Sequence, residues 1–203
     1  GLVQACKFLG NAGSGIDIQS SVKDGVLVQG CKFEGNVTGV MVHTDCNTLL
    51  SQNEISDNLG PGIIVKRNGS ATISKNKIYS GHWGLVLKGQ CTAKVINNEF
   101  FGNTYCAICV QTTGDLQVCN NRIHNEVRGM LFSGSSSIAD VPSEEKRTVG
   151  TTKVECNTFE SCSRFAICIK NGANPMILRN KIHNGRWRIV IQSKSLGVIM
   201  END

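Results

Sequence analysis

Ten cysteines and four histidines are the side chains of this 203-residue sequence with the widest chemical repertoire. Cys106 and Cys109 form a close C-x-x-C pair, a spacing found in zinc sites and redox-active dithiols. No second pair and no nearby histidine completes such a site, and the residues around the pair alternate as in a strand. Cysteine used as a small apolar residue is typical of a reducing compartment. The sequence therefore predicts no metal, no cofactor and an intracellular location, cytoplasmic or nuclear.

The elements that carry these residues follow from a repeat. An Asn, or a Cys in the first two instances, recurs about every 22 or 23 residues, and we call it the marker. The markers are Cys6, Cys31, Asn53, Asn76, Asn98, Asn121, Asn157, Asn180 and Asn202. One step of 36 residues contains the Ser-rich and charged segment 133–151, which we interpret as a loop inserted between repeats.

Each repeat holds three short apolar segments separated by turns. A large apolar residue lies two positions after each marker, another lies three positions before it, and an apolar triplet begins nine or ten positions after it. Short segments with period-2 alternation and many β-branched residues predict strands. The fold predicted for residues 1–203 is therefore all-β: a single-stranded, right-handed parallel β-helix of about eight coils. We expect the sequence to be a fragment of a longer chain.

Stacked coils would place equivalent side chains directly above one another, about 4.8 Å apart. The Asn markers are therefore expected to form a ladder, in which each amide bonds the amide or backbone of the next coil. Cys6 and Cys31 interrupt this ladder, and apolar stacking is expected to replace it there.

Carboxylates at equivalent positions of neighbouring coils would indicate hydrolysis or elimination of sugars, which require paired acids or calcium ligands with a base. The position after the marker carries charges of both signs, which indicates a solvated face. Its residues are Lys7, Lys32, Glu54, Lys77, Glu99, Arg122, Thr158 and Lys181. His124 and His183 share one coil position, interpreted as half-buried turn residues rather than catalytic groups. The sequence thus predicts no catalytic site in this segment.

Two outward-facing sets of residues favour binding. The middle residues of the triplets should point outward, and they are Asp17, Met41, Ile64, Val86, Cys109, Leu131, Cys168 and Val190. From Met41 onward this stripe is apolar, which predicts a large exposed patch covered by flanking sequence, the inserted loop or a partner. Seven positions after the marker, five coils carry residue types that dominate binding hot spots. They are Trp83, Tyr105, Arg128, Arg164 and Trp187, and ordinary turn packing is the alternative.

The segments 174–185 (NPMILRNKIHNG) and 199–203 (IMEND) carry a more specific likeness. They resemble the parallel β-helix repeats of F-box-only proteins, of the carbohydrate-binding and sugar-hydrolase type, and Asn53-Glu54-Ile55 and Asn121-Arg122-Ile123 echo the same coil. The likeness covers nearly the whole sequence, and the two coils with Cys markers fit it least. It implies a pectin-lyase-like solenoid that holds protein substrates for a ubiquitin ligase.

The function expected is a non-catalytic protein-binding scaffold whose partner is a substrate or an adaptor. The contact residues expected are Trp83, Tyr105, Arg128, Arg164, Trp187, Ile64, Val86, Leu131 and Val190. The alternative is a carbohydrate-active enzyme, of lyase, hydrolase or epimerase type, or a glycan-binding β-helix, because the Trp and Tyr side chains could also stack on sugars. The sequence contains no nucleic-acid motif and no apolar run long enough to span a membrane.

Overall fold

The computed structural model describes residues 1–19, 25–43, 47–134 and 152–203, and the regular structure within these ranges consists of β-strands. The 25 strands form three parallel sheets, which the chain visits in turn. In the described ranges there is no helix long and apolar enough to cross a membrane.

The first sheet contains the strand that precedes each marker. Its strands are β1 (Leu2–Gln4), β4 (Val26–Gln29), β7 (Asn47–Ser51), β10 (Ser70–Ser74), β13 (Thr92–Ile96), β16 (Leu116–Cys119), β19 (Thr152–Glu155), β22 (Met176–Leu178) and β25 (Val198–Met200). The second sheet contains the short strand that follows each marker. Its strands are β2 (Lys7–Leu9), β5 (Lys32–Glu34), β8 (Glu54–Ser56), β11 (Lys77–Tyr79), β14 (Glu99–Phe101), β17 (Arg122–His124), β20 (Thr158–Glu160) and β23 (Lys181–His183).

The third sheet contains the apolar triplets. Its strands are β3 (Ser14–Ile18), β6 (Thr38–His43), β9 (Pro61–Arg67), β12 (Trp83–Gly89), β15 (Cys106–Thr112), β18 (Arg128–Ser133), β21 (Phe165–Lys170) and β24 (Ile189–Ile191). Every strand pairs in parallel with its equivalent one coil away, so that Val86 lies between Ile64 and Cys109. The prediction of a parallel β-solenoid of about eight coils is confirmed.

The core is a continuous column of apolar side chains inside the coils. Each strand alternates, so that Leu85 and Leu87 are fully buried while Val86 between them points outward and is only half-buried. The large residues two positions after the marker, such as Phe33 and Phe100, are also fully buried. Burial of these side chains is the main source of stability, since removal of apolar surface from water is the dominant favourable term in folding.

The predicted Asn ladder is present on the inside of the coils. The backbone N–H and the Nδ2 of Asn76 both donate to Oδ1 of Asn98, at 3.0 Å each. The same Nδ2 also donates to the Leu50 carbonyl of the preceding coil, at 2.9 Å. The pattern continues to Asn202. Each marker therefore satisfies buried backbone groups at a tight corner, where unpaired groups would be costly.

The Cys end of the ladder differs from the expectation of apolar stacking. The Cys31 N–H donates to Oδ1 of Asn53 at 2.9 Å, and the Cys6 N–H points at Sγ of Cys31 at 3.4 Å. The Cys31 thiol in turn donates to the Gln29 carbonyl at 3.4 Å. Sulfur thus continues the ladder as a weak donor and acceptor, because the backbone groups at this corner still require partners.

The corners on both sides of the second sheet use left-handed backbone. The residue before a marker has a φ of +57° at Lys75 and +56° at Asn97, and the residue after a second-sheet strand has a φ of +54° at Ser80 and +53° at Asn125. This conformation is unfavourable for residues other than Gly. Backbone hydrogen bonds to the next coil hold these corners, from the Lys75 N–H to the Ile96 carbonyl and from the Ser80 N–H to the Phe101 carbonyl, at 3.2 Å each.

The inserted segment falls mostly outside the described residues, which stop at Gly134 and resume at Thr152. On either side of it the coils stay in register: Val118 pairs with Val154, and Asn121 donates to Asn157 at 3.0 and 2.9 Å.

Candidate binding surface

The outward residues of the third sheet form a second apolar cluster, separate from the core. Cys109, Leu131 and Cys168 pack in it with Cys106 and Phe165. Trp83, Val86, Tyr105 and Val190 pack against its edges. We call these nine residues the outer cluster.

The expectation of an apolar stripe exposed over seven coils is wrong at its centre. Cys109 and Leu131 are each 5% exposed and Cys168 is 3% exposed. Met41, Ile64, Val86 and Val190, which lie toward the two ends, are half-buried. The stripe is therefore largely closed in coils five to seven, where Cys109, Leu131 and Cys168 pack with the other residues of the outer cluster.

The five hot-spot residues do not form one straight row. Trp83 pairs with Cys106 rather than Tyr105, and Arg128 pairs with Phe165 rather than Arg164. Tyr105 and Arg164 lie one position earlier, where their N–H groups bond the carbonyls of His82 and Val127. The corner is one residue longer in those coils, so counting from the marker misaligns them.

Arg128 and the aromatic rings around it form the most organised part of this surface. The Arg128 guanidinium lies 4.3 Å from the centre of the Tyr105 ring, and its Nη1 donates to the Tyr105 carbonyl at 3.0 Å. Trp83 lies 5.4 Å from the Tyr105 ring and contacts His82 edge-on at 4.0 Å. Phe165 lies 6.0 Å from the guanidinium. These contacts hold Arg128 in one orientation, since a cation over an aromatic face is attracted by the ring quadrupole.

Trp187 continues this surface into the last coil and is its most accessible aromatic residue, at 55% exposed. The Arg186 guanidinium lies 5.9 Å from the Trp187 ring. Arg164, Arg186 and Arg188 are exposed. Of the five hot-spot residues, three are packed together and half-buried, namely Trp83, Tyr105 and Arg128. Arg164 and Trp187 are exposed and lie outside the outer cluster.

A second group, of aromatic and charged side chains, lies on the outside of the second sheet. The rings of Tyr79, Phe101 and His124 stack on successive coils at 4.6 and 5.1 Å. Arg122 bridges Glu99 and Glu160 at 3.4 and 3.0 Å. His124 Nε2 is 3.1 Å from Glu99. His124 is half-buried as predicted, but it lies at the end of a strand rather than in a turn, and His183 at the equivalent position is exposed.

This second group is poorly arranged for sugar chemistry. A pair of carboxylates that cleaves a glycosidic bond flanks the sugar and contains one protonated acid. Here the guanidinium of Arg122 occupies the space between Glu99 and Glu160, where the sugar would have to lie. The stacked rings also cover one another's faces, which a bound sugar would need.

A second internal ladder, not anticipated from the sequence, runs five positions after the markers. Asn36 donates from its N–H to Oδ1 of Asn58 at 2.9 Å, and Gly81 donates likewise to Asn103 at 3.2 Å. The next rung is Glu126, whose Oε1 accepts from Nδ2 of Asn103 at 2.7 Å. The recurrence of Asn at this offset, in Asn11, Asn36, Asn58 and Asn103, is the signal that could have revealed it.

Glu126 is the most perturbed acid in the described part of the chain. It is 1% exposed, and its Oε2 has no hydrogen-bond partner among the described residues. Burial raises its pKa to about 8, although the side chain and backbone of Asn103 oppose the shift. The carboxyl group is therefore mostly neutral at pH 7, although it lies only two residues from Arg128.

The cysteines of the outer cluster behave as apolar residues. Burial raises the pKa of the Cys106 thiol well above its usual value and also raises the pKa of Cys109. Burial therefore disfavours the thiolate, which is the form that binds metals and attacks electrophiles. Within the described ranges no group of three or more His, Cys, Asp or Glu side chains is placed to hold a metal ion.

Sequence reasoning missed Cys106 and Phe165, which lie at the centre of the outer cluster. Both stand two positions before the first residue of an apolar triplet, as do Trp83, Arg128 and Trp187. Counting back from the triplet would have aligned all five, because no turn of variable length intervenes.

Comparison with known proteins agrees with this architecture. The family profile described as "right handed beta helix region" matches residues 20–143, which is more than half of the sequence. Searches of curated proteins and of solved structures gave no match. On the profile match and the stacked parallel coils, the chain belongs to the right-handed β-helix family.

Proposed function

We propose that this domain is a non-catalytic scaffold that binds a protein through the outer surface of its third sheet. The observation that carries the proposal is the fixed stack of Arg128 on Tyr105, which adjoins Trp83 and leads to the exposed Trp187. Trp, Tyr and Arg are the residue types most enriched in interface hot spots. A side chain that is already ordered loses less conformational freedom when it binds.

The test compares capture of proteins from cells by the wild-type domain and by the Trp187→Ala variant. Leu59→Ala is the matched control, because Leu59 is 75% exposed and lies at the same corner in an early coil. A hot-spot loss of about 2 kcal/mol or more lowers affinity by at least about 30-fold. We expect that loss for Trp187→Ala when binding of a captured partner is measured with purified components, and little change for the control.

The finer form of the proposal is a substrate receptor in a ubiquitin ligase, and it is supported only by the resemblance of segments 174–185 and 199–203 to F-box-only proteins. Its test is whether a partner captured through Trp187 becomes ubiquitylated when co-expressed with the full-length protein, and less so with the Trp187→Ala protein. Equal ubiquitylation of the partner with and without the full-length protein would refute the ligase role but not the scaffold function.

The rival function is a carbohydrate-active enzyme or glycan binder. Its candidate site is the charged group of Glu99, Arg122 and Glu160 on the second sheet, which could bind the hydroxyl groups of a glycan although it is poorly arranged to cleave a glycosidic bond. Titration with oligogalacturonides, followed by analysis for cleavage products, tests it. Tight binding that Arg122→Ala abolishes and Trp187→Ala does not would favour the rival and move the site to the second sheet.

A further inference from the structure

Arginines accumulate at the corner between the second and third sheets in the last three coils. Arg128, Arg164, Arg186 and Arg188 lie there on successive coils. Burial raises the pKa of the Cys168 thiol, and the positive charges of Lys170, Arg164 and Arg128 oppose that shift. Successive coils are about 4.8 Å apart, so these cations form a band along the solenoid axis.

This band is not neutralised within the described part of the chain. The ion pairs there that involve arginine are made by Arg122, with Glu99 and Glu160, and by Arg179, with Glu155 and Glu201. Both groups lie on other faces of the solenoid. The acid nearest to the band in sequence, Glu126, is buried and mostly neutral at pH 7. Among the described residues, the exposed side chains of Arg164, Arg186 and Arg188 therefore present positive charge to solvent at this corner.

The arginines are also combined with an apolar contact point. Trp187 is 55% exposed and lies between Arg186 and Arg188. Guanidinium groups are planar donors that bind carboxylates through two parallel hydrogen bonds. A ligand that fits this corner needs several carboxylates and a large apolar side chain, and an acidic peptide segment in an extended conformation has both.

We propose that the arginine-rich corner formed by Arg128, Arg164, Arg186 and Arg188, with Trp187, is the binding site for an acidic segment of a partner protein. This inference rests on the proposed scaffold function and specifies the chemistry of its partner. Complementary charges across such an interface speed association and exclude wrong partners more than they add affinity, so we expect modest affinity and strong salt dependence.

The test measures fluorescence anisotropy of a labelled peptide of repeated Glu-Glu-Leu, with a Gln-Gln-Leu peptide as the uncharged probe. The variant is the triple substitution Arg164→Glu, Arg186→Glu and Arg188→Glu, all at exposed positions. The matched control is Lys77→Glu, Lys94→Glu and Lys153→Glu, which changes the net charge equally on the first and second sheets. Circular dichroism verifies that both variants are folded.

We expect the affinities of the wild-type domain and the lysine variant for the acidic peptide to agree within about twofold. The affinity of the arginine variant should be at least about tenfold lower. Equal weakening by the two variants would show a non-specific response to net charge and overturn the inference. Binding of the Gln peptide as tightly as the Glu peptide would also overturn it.

An anionic glycan is the other class of ligand that such a corner could hold. If polygalacturonate binding is lost in the arginine variant while peptide binding is unchanged, the acidic-peptide inference is wrong. If the binding of a captured protein partner requires Trp187 but not the three arginines, this inference is wrong while the scaffold function stands.

Discussion

At the scale of single residues, Glu126 shows how a ladder position can select a protonation state. The other polar rungs beside it are amides, which accept through oxygen and donate through nitrogen, as Asn103 does to Glu126 and to the Ile78 carbonyl at 3.3 Å. An ionised carboxylate only accepts, whereas a protonated one also donates. Oε1 of Glu126 takes the accepting role of an amide oxygen toward Asn103, and burial favours the protonated form of the acid.

The Glu126→Gln substitution should flatten the pH dependence of stability. The pKa of Glu126 is about 8 in the folded state against 4.5 for an unperturbed group, so between these values the folded state keeps a proton that the unfolded state has lost. Its contribution is therefore complete below pH 4.5 and is lost as the pH rises toward 8, by about 1.4 kcal/mol per pH unit.

Urea unfolding at several pH values measures this difference. Among the described residues, the titratable groups that face Glu126 are Cys106 and Cys162. Burial raises the pKa of both thiols, that of Cys162 to about 12, so they stay neutral over this window. Asp57→Asn, at an exposed position, controls for net charge. Parallel pH profiles for the wild-type and Glu126→Gln proteins would contradict the assignment.

At the scale of strands and corners, small residues allow the second and third sheets to meet. Gly84 at the start of β12 approaches the next coil so closely that an added Cβ would lie 2.5 Å from the Ala107 carbonyl oxygen and 2.9 Å from Cδ1 of Phe100. Its backbone φ is not left-handed, so close packing alone explains why glycine stands there.

Gly84→Ala should therefore destabilise the domain by about 1–3 kcal/mol, as expected for overpacking against backbone and a buried ring. Gly13→Ala is the matched control, since a Cβ there meets nothing within 4 Å and the backbone is equally permissive. The measurement is the denaturant midpoint of unfolding, which should be lower for Gly84→Ala than for Gly13→Ala. Equal midpoints would show that the coil can shift to accept the methyl group.

Strand placement and the first ladder were predictable from sequence because they depend on local spacing. The positions of Asn76, Ile78 and Leu85 within their coil, for example, follow from their spacing in the sequence of that coil alone. Register across coils was less predictable, since one extra corner residue moved Tyr105 and Arg164 out of the Trp83 column. The closure of the outer cluster over Leu131 and the neutrality of Glu126 depend on neighbours from other coils, which no single repeat encodes.

At the scale of the whole molecule, each coil contacts only its neighbours, so stability should be approximately a sum of coil and interface terms. Three sheets of nine, eight and eight strands share one continuous core. A defect in a central coil then weakens two interfaces and separates two halves, while a defect near an end releases only that end.

Ile78→Ala and Ile182→Ala test this view, because the two isoleucines are equivalent and are 1% and 2% exposed. Each substitution should cost about 2–5 kcal/mol. In hydrogen exchange followed by mass spectrometry, we expect Ile78→Ala to raise exchange on both sides of β11, and Ile182→Ala to raise it only in the last two coils. A uniform increase along the chain in both variants would indicate two-state unfolding of the entire domain instead.

The rung between Asn121 and Asn157 has the same 2.9–3.0 Å geometry as the rung between Asn98 and Asn121, although it spans 36 residues rather than 23. Spatial periodicity is thus independent of sequence periodicity at the corner after β18. Sequence could therefore be inserted or replaced at this corner during evolution without changes in the packing of the adjacent coils. The same corner is a natural place to graft a reporter or an epitope into the domain.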